Sequence, residues 1–79
     1  MNNLSLYQKI FRDSLSLSDS YKLDKLKYQS IPEWDSIGHM SLIAALEENF
    51  KITIDTDDIV DFGSFKKGIE ILKKYKIKF

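Results

Sequence analysis

The chain has 79 residues, 43% hydrophobic and 30% charged, with 12 Lys+Arg set against 12 Asp+Glu. That is the length of one domain, 1–79, and a neutral chain lacks the net basic surface with which general nucleic-acid binders displace counterions from phosphates. With no cysteine and one histidine, disulfides and thiolate metal sites are excluded, and a catalytic zinc centre, which draws on two or three imidazoles, is disfavoured.

The longest uninterrupted apolar run, Leu42-Ile43-Ala44-Ala45-Leu46, is too short to cross a bilayer. The start Met1-Asn2-Asn3-Leu4 lacks the basic-then-apolar layout of a signal peptide. The expectation is a cytoplasmic monomer without membrane insertion. A domain this small buries only about 60% of its unfolded surface, which favours a binding or carrier module over an enzyme with a water-excluding pocket.

Near the N-terminus, Leu4, Tyr7, Ile10, Phe11 and Leu15 recur at spacings of three and four, with Gln8, Lys9, Arg12 and Asp13 opposite. This pattern predicts an amphipathic helix from about residue 3 to about 16. From Leu17 to Trp34 the pattern weakens into a long connection that Pro32 closes. There Tyr21, Leu23, Leu26, Tyr28 and Ile31 are candidates to pin it to a core.

Asp35 and Ser36, two good capping residues, predict the start of a second helix that runs through about Phe50. Leu42, Ile43, Leu46 and Phe50 fall on one side of it, with His39 among them. Ile37, Met40, Ser41, Ala44 and Glu48 fall on roughly the other.

Lys51 to Asp55 alternate like a strand, but a lone strand has no partner, so the segment reads as an extended connector. Asp55 or Thr56 can cap a short helix through Ile59, Val60 and Phe62. Gly63 breaks it, and Ser64 can cap a last helix carrying Phe65, Ile69, Leu72 and Tyr75. The fold class expected is all-α, with four helices, the third short, and a long loop between the first two. The alternating tail Tyr75-Lys76-Ile77-Lys78-Phe79 leaves a small two-stranded α+β fold as the alternative.

The zero net charge hides an asymmetry. Residues 1–32 sum to +2. Residues 33–61 carry eight acidic groups against Lys51, a sum of −7, and residues 62–79 carry six lysines against Glu70, a sum of +5. The middle third therefore forms an acidic surface able to steer basic partners. The terminal lysines also suit the dipole at a helix end. Asp55, Asp57 and Asp58 lack the spacing and glycine of an EF-hand loop, so no metal site is assigned.

The most informative stretch is Glu33-Trp34-Asp35-Ser36-Ile37-Gly38-His39-Met40. It presents a serine hydroxyl at a helix N-terminus, where unpaired backbone N–H groups favour a phosphate. Asp35-Ser36-Ile37, followed by Leu42-Ile43-Ala44-Ala45-Leu46-Glu47-Glu48-Asn49-Phe50-Lys51-Ile52, resembles the acyl carrier protein family. The likeness extends over nearly the whole chain in the order of its expected helices. It implies a four-helix acyl-carrier-like bundle.

By that resemblance, Ser36 is the attachment point of 4′-phosphopantetheine. A separate phosphopantetheinyl transferase would move the arm from coenzyme A onto the hydroxyl, releasing adenosine 3′,5′-bisphosphate. The arm's thiol would hold acyl intermediates as thioesters for acyl- or aminoacyl-activating and acyl-transferring enzymes. Asp35 and Ile37 match positions read by the transferase and client enzymes, and Met40, Ala44, Glu47 and Glu48 extend that face. Leu42, Ile43, Leu46, Phe50, Ile59 and Phe62 are candidates to line an acyl pocket, or are simply core.

The chain departs from the pattern at Gly38, where many fatty-acid-synthesis carriers are acidic, and at Trp34, where many members have a small residue. Together with the neutral charge, this implies a specialised acyl, aminoacyl or polyketide pathway. The alternatives are an aminoacyl carrier of the D-alanyl type and a cofactor-free helical interaction protein. His39 lies three residues after Ser36 and can share its helix face, but no third orienting group or glycine-rich donor loop accompanies the pair. The chain is read as a carrier, with no catalytic residue. His39 is expected to pack between the second helix and the long loop, or to touch the arm near its attachment, and Trp34 to be a packed aromatic rather than a recognition element.

Overall fold

A computed structural model describes residues 2–79; Met1, which opens the stretch weighed as a leader, lies outside the described residues. The elements are α1 (Asn3–Leu15), α2 (Ser36–Phe50), α3 (Thr56–Asp61) and α4 (Phe65–Lys74), and no strand occurs among the described residues. The fold is all-α. Its radius of gyration, 11.4 Å, is that of a compact chain of this length, about 11.6 Å by the usual scaling. Among the described residues no helix is long and apolar enough to cross a membrane.

Each helix begins where the sequence offers a cap, with one exception. Asn2 Oδ1 accepts the Ser5 N–H at 2.7 Å, Asp35 Oδ1 accepts the Gly38 N–H at 2.8 Å, and Ser64 Oγ accepts the Lys67 N–H at 2.9 Å. Asp55 stands at the start of α3, yet its side chain makes no capping bond. α1 and α2 end on Ser16 and Lys51, both in the left-handed region, with φ of 56° and 57°.

α1 packs against α2, and Tyr7, Phe11, Leu42, Leu46, Phe62 and Leu72 lie at the centre of the core. The long connection, residues 16–35, contains no helix and is held by specific bonds. Arg12 donates to the carbonyls of Ser18 and Tyr21, at 3.2 and 3.1 Å. Lys27 forms an isolated bridge with Ser64, while the Tyr28 N–H donates to the Gly63 carbonyl and the Phe65 N–H to the Leu26 carbonyl. Leu23, Leu26 and Trp34 anchor the segment in the core, and Tyr28 and Ile31 pack against it. Tyr21 does not act as an anchor: its ring is 37% exposed.

Both alternating segments resolve as non-strand: in the tail the Tyr75, Lys76 and Ile77 N–H groups bond the Leu72 and Lys73 carbonyls at the end of α4, and in the connector the donors turn to side chains. The Ile54 N–H finds Glu47 Oε2 at 2.8 Å and the Asp55 N–H finds the Tyr75 hydroxyl at 2.9 Å, so side chains take the bonds a neighbouring strand would have made. The tail turns at Lys76, φ 68°. It then lies across the start of α1, where Asn3 Nδ2 donates to the Lys78 carbonyl at 2.8 Å.

Gly68 is buried with no room for a side chain. A Cβ there would stand 2.2 Å from the Tyr7 hydroxyl and 2.2 Å from Phe62 Cζ. Neither can withdraw easily: both rings are buried, and the Tyr7 hydroxyl donates to the Phe65 carbonyl at 2.7 Å. Burial also pushes the Tyr7 phenol pKa far above its ordinary value. Gly68→Ala is expected to lower the melting temperature. Overpacking costs about 1–3 kcal/mol, and it outweighs the gain in helix propensity, about 1 kcal/mol. A melting temperature equal to or above that of the wild type would refute this.

α3 is tied to the end of α4 through Asp58, which accepts Lys74 Nζ and the Tyr75 hydroxyl, each at 2.6 Å. The hydrogen bond from Lys74, then that from Tyr75, holds the Asp58 pKa below its ordinary value of 3.8, and the same bond raises the pKa of Lys74. The folded state therefore binds this proton less readily than the unfolded chain. The contribution is fully present above pH 3.8 and is lost as pH falls through the lower folded value. Asp58→Asn is expected to melt below wild type at pH 6, with the gap closing towards pH 2. A gap that is constant with pH in thermal melts would exclude this role.

Candidate functional site

Ser36 is the first residue of α2, and its side chain is exposed. Because Asp35 occupies the capping position, the Ser36 hydroxyl is not needed to close the helix end. Among the described residues its one hydrogen-bond partner is the Tyr28 hydroxyl, at 3.2 Å. Gly38 brings the loop against this helix start, since a Cβ there would stand 2.1 Å from the Glu33 carbonyl oxygen. Glycine at position 38 thus has a steric cause: the loop crosses the helix where a side chain would stand.

Beside the hydroxyl opens a cleft of 370 Å³ between the loop, α2 and α3, lined by Tyr28, Ser36, His39, Met40, Ile59, Val60, Phe62 and Gly63. Of its lining, two large apolar side chains stand in water, Val60, 77% exposed, and Met40, 56%, and Ile37, next in the chain to Ser36, is 78% exposed. Solvent contact of this kind on neighbouring apolar groups favours covering them with a ligand or partner.

His39, half-buried, lines the cleft. Its Nδ1 accepts the indole N–H of Trp34 at 3.0 Å, so Nε2 carries the proton and donates to the Ile59 carbonyl at 2.9 Å. Both ring nitrogens are engaged, which leaves neither to act as a base toward Ser36. One side chain thereby joins the loop, α2 and α3. Trp34 is fully buried between Phe11 of α1 and Tyr28 of the loop, at ring-centroid distances of 5.4 and 6.3 Å.

No family model, curated protein or solved structure matches the chain.

The structure brings Ser36, Met40, Ile59 and Phe62 together at the cleft, and leaves Ile37 exposed beside Ser36 in the chain. Asp35 caps the helix beside them. Ala44 and Glu48 continue the exposed side of α2 away from the cleft. Glu47 is half-buried, with its carboxylate turned back onto the Ile54 N–H. Leu42, Ile43 and Leu46 are buried core residues that line no part of the cleft, and Phe50 is half-buried at the far end of α2, 6.5 Å from the Phe79 ring. Among the acids of α3, Asp58 is held by Lys74 and Tyr75.

Tyr28, Val60 and Gly63 belong to the cleft although sequence reasoning did not select them. For Tyr28 the only signal was an aromatic residue stranded in a polar loop. Val60 and Gly63 gave none, because their place depends on how α3 docks.

Proposed function

We propose that the chain is an acyl carrier protein, with Ser36 as the attachment point of a 4′-phosphopantetheine arm. The observation that carries this reading is an exposed serine hydroxyl on the first turn of a 15-residue helix, at the lip of an apolar cleft. The free N–H groups and positive dipole end of such a turn suit a phosphodiester. The cleft suits an apolar group on a tether, and the all-α fold with a short third helix agrees with the reading. The arm, once bound, supplies the thiol that the chain itself lacks.

In this reading Ser36 donates its oxygen to the phosphorus of the incoming arm, and the bond to adenosine 3′,5′-bisphosphate breaks as the hydroxyl proton leaves to the transferase. Asp35 holds the helix end in place while Ile37 and Met40 offer the transferase an apolar contact. Client enzymes that load and unload acyl or aminoacyl groups would meet the same face.

The test is intact-protein mass after incubation with coenzyme A, Mg²⁺ and a broad-specificity phosphopantetheinyl transferase. The expected result is a gain of one phosphopantetheine. No gain with several transferases overturns the reading, and leaves the apolar rim as the docking face of a cofactor-free interaction protein.

The acidic side of α2 gives a rate prediction. Glu47 holds the Ile54 N–H, so its replacement disturbs the fold, and exposed Glu48 is the clean probe. Glu48→Lys is expected to lower the transferase kcat/KM at low salt. The deficit should shrink as salt contracts the screening length from about 10 Å at 0.1 M. Equal rates at low salt would remove Glu48 from recognition.

A further inference from the structure

We propose that Tyr28 positions the Ser36 hydroxyl for transfer of the arm and afterwards holds the arm's phosphodiester, acting as a hydrogen-bond donor in both states. This rests on the carrier reading above and adds to it a loop residue that the reaction uses.

Tyr28 is held from several sides. Its backbone N–H donates to the Gly63 carbonyl at 2.9 Å, which ties it to the junction of α3 and α4. Its ring stands edge-to-face against Trp34, at 6.3 Å and 88°, and against His39, at 5.3 Å and 68°. Trp34 is fully buried and His39 is bonded at both ring nitrogens, so neither ring yields easily. The hydroxyl at the end of this braced ring lies 3.2 Å from Ser36 Oγ.

The serine side chain has no other tether among the described residues. Asp35 makes the capping bond, and Ser36 is exposed. Left alone, its hydroxyl spreads over three staggered positions. A hydrogen bond to a fixed partner favours one of them, so the attacking oxygen is already oriented when the transferase arrives.

The chemistry of transfer selects which hydroxyl donates. Ser36 Oγ has one proton and two lone pairs. One lone pair forms the new bond to phosphorus. The bond from phosphorus to adenosine 3′,5′-bisphosphate breaks, its electron pair leaves with that group, and the serine proton goes to the transferase. Donation by Tyr28 keeps the serine proton and the second lone pair free for these events, whereas acceptance by Tyr28 would occupy the proton. After transfer Oγ is an ester oxygen without a proton, and only a donor can keep the contact. The charged oxygens on the same phosphorus are stronger acceptors, and a hydroxyl bond to one of them is charge-assisted.

The experiment compares the full-length wild type with Tyr28→Phe, which keeps the ring and removes the hydroxyl. Arm transfer from coenzyme A is followed under single-turnover conditions, and the loaded chains are then compared by phosphorus NMR. The expected result is a maximal transfer rate lower by about three- to tenfold in the variant, with half-saturation unchanged within about twofold. The phosphorus signal of the loaded variant should lie closer than that of the loaded wild type to the signal of loaded chain unfolded in urea. In the wild type alone, loading should shift the Tyr28 ring signals and leave those of buried Tyr7 in place.

An unchanged maximal rate, with or without a lower melting temperature, makes Tyr28 a structural tie and overturns the positioning role. Weaker half-saturation at an unchanged maximal rate makes it a transferase contact and overturns the role as well. Identical phosphorus signals in the two loaded chains, or Tyr28 ring signals that ignore loading, overturn the hold on the phosphodiester. Each of these outcomes leaves the carrier reading intact, because the wild type has gained its arm. A wild type that gains no arm by mass overturns both.

Discussion

Ser36→Ala is expected to abolish addition of the arm completely while leaving the fold almost unchanged. The two effects separate because α2 divides its labour between adjacent residues. Asp35 accepts the Gly38 N–H and closes the helix end, and Ser36 makes one exposed contact, with the Tyr28 hydroxyl. Losing the hydroxyl therefore costs at most a single hydrogen bond, about 0.5–1.5 kcal/mol. The helix N-cap stays in place. Intact mass should show no adduct, and circular dichroism should show helical content and cooperative melting close to wild type. An adduct on the alanine variant would place attachment elsewhere. A collapsed melt would show that the serine is structural.

Trp34→Ala is expected to produce the largest loss of stability among the substitutions considered. The side chain is fully buried, and its N–H satisfies His39. Truncating a buried aromatic residue of this size costs about 3–5 kcal/mol. A domain of this length has about 4–12 kcal/mol in all, at 0.05–0.15 kcal/mol per residue. The melting temperature should fall by at least about 12 °C, at 4–8 °C per kcal/mol. A fall of only a few degrees would mean that the loop and the α2 start are held by the neighbouring backbone bonds instead.

Much of the fold was legible because it is local. The spacing of Tyr7, Ile10, Phe11 and Leu15, the capping residues Asp35 and Ser64, and the two sides of α2 all act within a few residues of themselves, where sequence carries the signal. The strand-like tail and connector misled for the opposite reason. Alternation reports a half-buried extended chain, but whether it pairs depends on where its N–H groups find acceptors, here Glu47 and the Tyr75 hydroxyl for the connector and the last carbonyls of α4 for the tail.

The site divides in the same way. Ser36 and the exposed Ile37 and Met40 follow from their positions on a capped helix. The cleft needs Tyr28 and Val60 from elements that meet only in the folded chain. Leu42, Ile43 and Leu46, candidates for an acyl pocket or for the core, are buried, and their apolar character suits either role. The partners of His39, one five and one twenty residues away, have no spacing rule that would reveal them.

The sequence contains a single tryptophan, and the fold has placed it next to the features of interest. Any indole fluorescence from this protein comes from one position, sealed from water and bonded to His39. The molecule thus holds an intrinsic reporter whose emission follows the closure of loop onto helix, whereas circular dichroism follows the helices themselves. Two optical signals from an unlabelled chain are enough to ask whether the loop lets go before the bundle does or at the same denaturant concentration.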